Sequence, residues 1–164
     1  MRTVGLLGGM SWESTAEYYR AINEGIKDAL GGLHSAKIVL YSVDFEPIEK
    51  LQHDGDWEET AKILSIAAKN IQLAGADCLL ICTNTMHKVA PEIEAALDIP
   101  LLHIADATAE VIKRGQIQKV GLLGTLFTME QEFYKGRLQK KHGLNVLVPN
   151  EHDRQIVHDV IYQE

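Results

Sequence analysis

The chain has 164 residues, 46% of them apolar and 24% charged, which is the make-up of an ordinary globular protein with room for a real core. A net charge of −7 argues against a nucleic-acid backbone as partner. No apolar run approaches the roughly 20 residues of a membrane-spanning helix, and the apolar stretch near Met1 is too short for a signal peptide, so a cytoplasmic home is expected.

In chain order, residues 3–7 read as a strand and 13–30 as a helix, with Ala16, Tyr19, Ile22, Ile26 and Leu30 at helical spacing and Gly31-Gly32 ending it. Residues 37–43 are again β-like. Trp57–Leu73 is an amphipathic helix with Trp57, Ala61, Leu64, Ala68 and Ile71 on one stripe. The apolar run 77–81 is a strand buried on both faces of a parallel sheet. A helix is expected over about 86–97, with Pro91 in its first turns or breaking it. Strand 101–104, helix 105–114, strand 119–123, helix 128–141, strand 144–148 and helix 151–162 follow. This alternation predicts an α/β fold with a parallel sheet covered by helices on both faces; the repeat that follows divides it into two similar domains, 1–100 carrying Cys82 and 101–164 forming a partial second domain.

The segment Val4-Gly5-Leu6-Leu7-Gly8 recurs letter for letter as Val120-Gly121-Leu122-Leu123-Gly124, an offset of 116 residues. Ser11 and Glu13 follow the first copy at the start of its helix; Thr128 and Glu130 follow the second, and Tyr18 falls on Tyr134. Two independent strand-turn-helix units of similar composition are the plain alternative to a duplicated half. Under duplication, Cys82 has its counterpart at position 198, beyond Glu164, so the second half is expected to be unfinished.

Cys82 closes the buried strand and precedes Thr83-Asn84-Thr85-Met86-His87. Ligands of open α/β sheets bind at the carboxyl ends of strands. Small polar residues there can cap the next helix or turn its N–H groups towards a carboxylate, and the helix's positive end would lower the thiol pKa; an ordinary N-cap beside an inert cysteine is the alternative. The other cysteine, Cys78, lies four residues back, roughly 13 Å away along a strand and beyond the reach of about 7 Å for a disulfide. There is no C-x-x-C pair and no helical His pair with an acid, so no metal site is expected. Gly8-Gly9-Met10-Ser11 matches neither nucleotide-binding glycine pattern; it is a tight βα turn or the cradle of a carboxylate-sized ligand. His103 and Asp106, near another strand end, orient a thiol, hold substrate, or are satisfied by their neighbours. Lys88 lies beside His87 with no phosphate-binding signature, and His34, His53, His142, His152 and His158 form no pattern.

The segments Val4-Gly5-Leu6-Leu7-Gly8-Gly9-Met10-Ser11-Trp12-Glu13-Ser14, Cys82-Thr83-Asn84-Thr85-Met86-His87-Lys88, His103-Ile104-Ala105-Asp106 and Gly121-Leu122-Leu123-Gly124-Thr125 resemble the aspartate/glutamate racemase family, and most closely its broad-specificity amino-acid racemase branch. The resemblance spans the chain. It implies two α/β domains with the active site in the cleft between them, and racemisation or epimerisation of amino acids without a cofactor by two cysteines. It implies Cys82 as the first catalytic cysteine, Thr83, Asn84 and Thr85 as carboxylate-binding, Met10 and Gln52 as pocket-lining, Glu164 as a further pocket position, and a homodimer. The family's second cysteine, in a Gly-Cys-Thr-Glu segment, has no match here, and the family chain's return to its first domain has none either; the 164 residues alone are therefore expected to be inactive. A one-cysteine decarboxylase or isomerase of a small dicarboxylate, and a non-catalytic carboxylate-binding domain, are the alternatives.

Overall fold

The computed structural model describes residues 1–163. The chain divides into two compact units, Met1–Leu102 and a second from His103 onward.

The first unit is built on three parallel strands, β1 (Thr3–Gly8), β2 (Lys37–Ser42) and β3 (Cys78–Ile81), in the order β2-β1-β3. Leu7 stands opposite Tyr41 and Ile81, so all three strands deliver their following loops to one end. Helix α1 (Trp12–Leu30) starts at Ser11, whose hydroxyl accepts from the Ser14 N–H at 3.3 Å. Its expected apolar stripe is only partly covered: Ile22 and Ile26 are half-buried, while Tyr19 and Leu30 are exposed. Helix α3 (Trp57–Leu73) is capped by Asp56, which accepts from the Glu59 N–H at 3.0 Å. Its Ala61, Leu64, Ala68 and Ile71 join Leu7, Leu79 and Ile81 in the main core. That face is covered because small and branched residues at a spacing of three and four let the helix lie close on the strands.

Three segments depart from the sequence expectation. A helix not foreseen between residues 43 and 57, α2 (Phe45–Asp54), is capped by Asp44 and ended by Gly55 in the left-handed conformation. Residues 85–97 do not form one helix. Thr85–Val89 is a 3-10 turn, and α4 (Ala90–Ala95) starts anew with Pro91 in its first turn, where its missing N–H costs nothing. Residues 101–104 are not a strand: Leu101 alone bridges to Leu79, and the next helix begins at Ile104 because His103 caps it.

In the second unit, β4 (Lys119–Gly121) and β5 (Asn145–Leu147) pair in parallel. Helix α5 is Ile104–Arg114. The expected helix over 128–141 is two pieces, α6 (Leu126–Glu130) and a wide π-type helix (Glu132–Lys141), parted at Gln131, whose backbone is extended. Thr125, not Thr128, caps α6. Helix α7 (Glu151–Gln163) is tied to α6 by an Arg154–Glu130 ion pair of 2.8 Å. Ala105, Ala109, Tyr134, Leu138, Leu144 and Val146 form the core of this unit.

Candidate active site

The carboxyl ends of β1, β2 and β3 carry most of the residues singled out in the sequence. The Cys82 N–H still donates to the Leu7 carbonyl at 2.9 Å, so the cysteine is fixed to the central strand although it lies one residue past β3. Its side chain is 1% exposed. Burial pushes the thiol up to about 12, the reverse of the lowering expected from a helix terminus. The reason is local: Asn84 adopts helical angles and makes no side-chain cap bond, and the helical segment after it is a short 3-10 turn. Desolvation disfavours the thiolate and no full helix dipole offsets it. Cys78 is half-buried within β3, and burial followed by the neighbouring Asp77 charge raises its thiol as well.

Met10 follows β1 at this same end and is buried in the same core as Ile48, Ile81 and Met86. Gln52 lies on α2, which follows β2, and its side chain is buried. Thr85 is buried, Thr83 half-buried and Asn84 exposed. The first unit thus carries Met10, Gln52, Cys82, Thr83, Asn84 and Thr85, and Glu164 lies outside the described residues.

The glycine turn closes on itself. Gly9 has φ +97°, and a Cβ there would run into the Val43 carbonyl and lie 2.7 Å from its nitrogen, so only glycine fits. The Gly9 N–H donates to the Thr15 hydroxyl at 2.9 Å, and that hydroxyl donates to the Ser11 carbonyl at 2.9 Å. This N–H is thereby committed within the turn, which favours the tight-turn reading over an anion cradle. Thr15 is the residue that sequence reasoning passed over; its place one turn into α1 facing Gly8-Gly9 was the available signal.

His87 is buried, with Nδ1 2.8 Å from the Thr83 carbonyl and 3.3 Å from that of Asn84. The Lys88 ammonium sits 3.9 Å from the centre of the Trp57 ring, and burial lowers its pKa. His103 and Asp106 belong to the second unit and serve its fold. The His103 Nδ1 accepts from the Ala105 N–H at 3.2 Å. The Asp106 carboxylate takes a two-pronged bond from Arg137 at 2.7 and 2.8 Å, one from Lys141 at 2.8 Å, and a contact with His142 Nε2 at 2.7 Å. Arg137 above all, with His142 and Lys141, holds it well below the usual carboxylate range. Among the described residues no three His, Cys, Asp or Glu side chains gather as a metal site, and no helix is long and apolar enough to cross a membrane.

Comparison with known proteins identifies the family. The profile of the Asp/Glu/hydantoin racemases matches residues 7–163. The broad specificity amino-acid racemase RacX of Bacillus subtilis (strain 168) is 26% identical over 163 residues, covering 96% of this chain and 69% of the relative. The structure of a candidate Asp/Glu racemase from Yersinia pestis superposes with a TM-score of 0.96 at 60% identity, and that of an aspartate racemase homologue from Pyrococcus horikoshii OT3 with 0.86 at 34%. Each of these matches covers 100% of this chain and 71% of the other. A match over nearly the whole length, with the α/β architecture in common, shows that the chain belongs to the Asp/Glu/hydantoin racemase family.

Proposed function

We propose that this chain serves amino-acid racemisation or epimerisation without a cofactor, with Cys82 moving the Cα proton on one face of the substrate. The observation that carries the reading is the buried thiol of Cys82 at the carboxyl end of β3, in a chain of this family. Thr83, Asn84 and Thr85 bind the substrate carboxylate, Met10 and Gln52 line the pocket, and Glu164 completes it. These roles rest on the resemblance of the segments, as does the homodimer.

The chemistry suits the thiol. An amino-acid Cα–H is a very weak acid, and without a pyridoxal electron sink the developing negative charge needs preorganised donors. A thiol held near 12 is protonated at neutral pH and, once deprotonated, is a stronger base than a free thiolate, which narrows the gap to Cα–H. In one direction the Cys82 S–H bond breaks, its proton joins the Cα electron pair, and a thiolate remains; in the other the thiolate takes the proton back. Inversion needs a second group on the opposite face. The sequence holds two cysteines, and Cys78 sits within the same strand, so it does not supply one.

The test is hydrogen–deuterium exchange at Cα in D2O, followed by NMR over L- and D-amino acids. The 164 residues are expected to give little or no net racemisation, and Cys82→Ser is expected to remove exchange from one enantiomer. Exchange from both enantiomers undiminished in Cys82→Ser would sink the assignment. The single cysteine at a strand end also supports a second reading, a one-cysteine decarboxylase or isomerase of a small dicarboxylate; product formation from a dicarboxylate with no Cα exchange of amino acids favours it. Amino-acid binding that survives Cys82→Ala, with no exchange in the parent, favours a carboxylate-binding domain.

A further inference from the structure

We infer that His87 is a positioning residue that holds the Thr83–Thr85 loop in its binding conformation through its Nδ1–H bond to the Thr83 carbonyl; this rests on the proposed role of that loop. Both atoms facing Nδ1 are carbonyl oxygens, Thr83 at 2.8 Å and Asn84 at 3.3 Å. Carbonyl oxygens only accept, so Nδ1 carries the proton. The His87 backbone N–H donates to the Asn84 carbonyl as well, at 3.1 Å. One residue thus fixes two successive peptide planes immediately after Cys82.

Peptide planarity extends the effect. In a trans peptide the N–H points opposite to the C=O, so turning the Thr83 and Asn84 carbonyls towards His87 turns the Asn84 and Thr85 N–H groups away from it. Neither N–H has a protein acceptor among the described residues. The ring is 1% exposed, so the bond is shielded from competing water, and it lies beside the fixed Cys82 backbone.

The test compares His87→Asn, whose side-chain amide nitrogen falls near the Nδ1 position, with His87→Gln, whose amide reaches further and misses it. Backbone 15N order parameters are read at Asn84 and Thr85. Values of about 0.85 in the parent and the Asn variant, falling below about 0.6 in the Gln variant, are expected. Binding is read by NMR titration with the L-amino acid that most shifts those two amides. Its Kd is expected to rise about tenfold in the Gln variant, one hydrogen bond's worth, and to recover in the Asn variant. Equal order parameters in all three proteins, or a loosened loop with an unchanged Kd, overturns the inference. If the Gln variant does not fold, the parent decides: a His87 Nδ1 without a directly bonded proton at pH 8 overturns it. A parent that binds no amino acid removes the proposed function of the loop, and the order parameters still decide the role of His87.

Discussion

Residues 4–8 and 120–124 spell the same pentapeptide and end in opposite environments. In β1, Leu7 is fully buried, whereas its counterpart Leu123 is 67% exposed. Gly5 is pressed between the Ile71 side chain and the Cys78 carbonyl, where a Cβ would lie 2.9 Å from that oxygen; a Cβ at Gly121 would meet open space. The difference lies in the neighbours that these 164 residues supply. β1 is the central strand, bonded on both sides and overlaid by α3, while β4 is bonded to β5 alone among the described residues. Identical side chains gain burial energy only where other elements remove them from water.

The contrast can be broken most directly at the second leucine of each copy. Leu7→Ala is expected to cost about 3–4 kcal/mol, as for a well-packed core leucine, and Leu123→Ala less than about 0.5 kcal/mol; urea unfolding with unchanged slopes reads both. Similar losses would end the idea that the copies differ in burial. A second pair sharpens the packing half of the comparison. Gly5→Ala should cost about 2 kcal/mol by overpacking against backbone, while Gly121→Ala should lie within about 0.5 kcal/mol of the parent.

The smallest effect concerns charge. The second unit has a small core, and Asp106 links α5 to the π-type helix and the residue after it through Arg137, Lys141 and His142. The folded-state pKa of Asp106 is depressed, chiefly by Arg137, so its contribution is present above the unfolded value near 4 and is lost as pH falls through the lower folded one. Asp106→Asn is expected to cost about 1.5 kcal/mol at pH 7, in the range of a charge-assisted bond, and to flatten the acid limb of the second unit's stability below about pH 4. An acid limb unchanged by the substitution would assign the cohesion of this unit to its apolar core instead.

Much of the candidate site was legible from Cys82 outward, because an apolar run ending in a polar cluster marks a strand terminus in either reading of its chemistry. Gln52 was legible as a candidate pocket position only through resemblance: its helix, α2, was missed, although Asp44 and Gly55 cap it, because Pro47 and only a few apolar residues hid the period. The environment of the thiol was not legible. A helix start was inferred from Thr83-Asn84-Thr85, but whether Asn84 caps or joins the turn depends on where Met86, His87 and Val89 bury their side chains.

The sequence by itself determined the βα alternation, the parallel sheets and the position of Cys82 at a strand end, since those follow from periodicity, caps and glycines within a few residues of each other. Only the tertiary structure decided which copy of the repeat is buried, that the Asp106 carboxylate belongs to Arg137, that Gly9 is locked by Thr15, and that Cys82 is a high-pKa thiol. Each of these depends on what packs alongside from elsewhere in the chain, and both desolvation and steric fit are set by those neighbours.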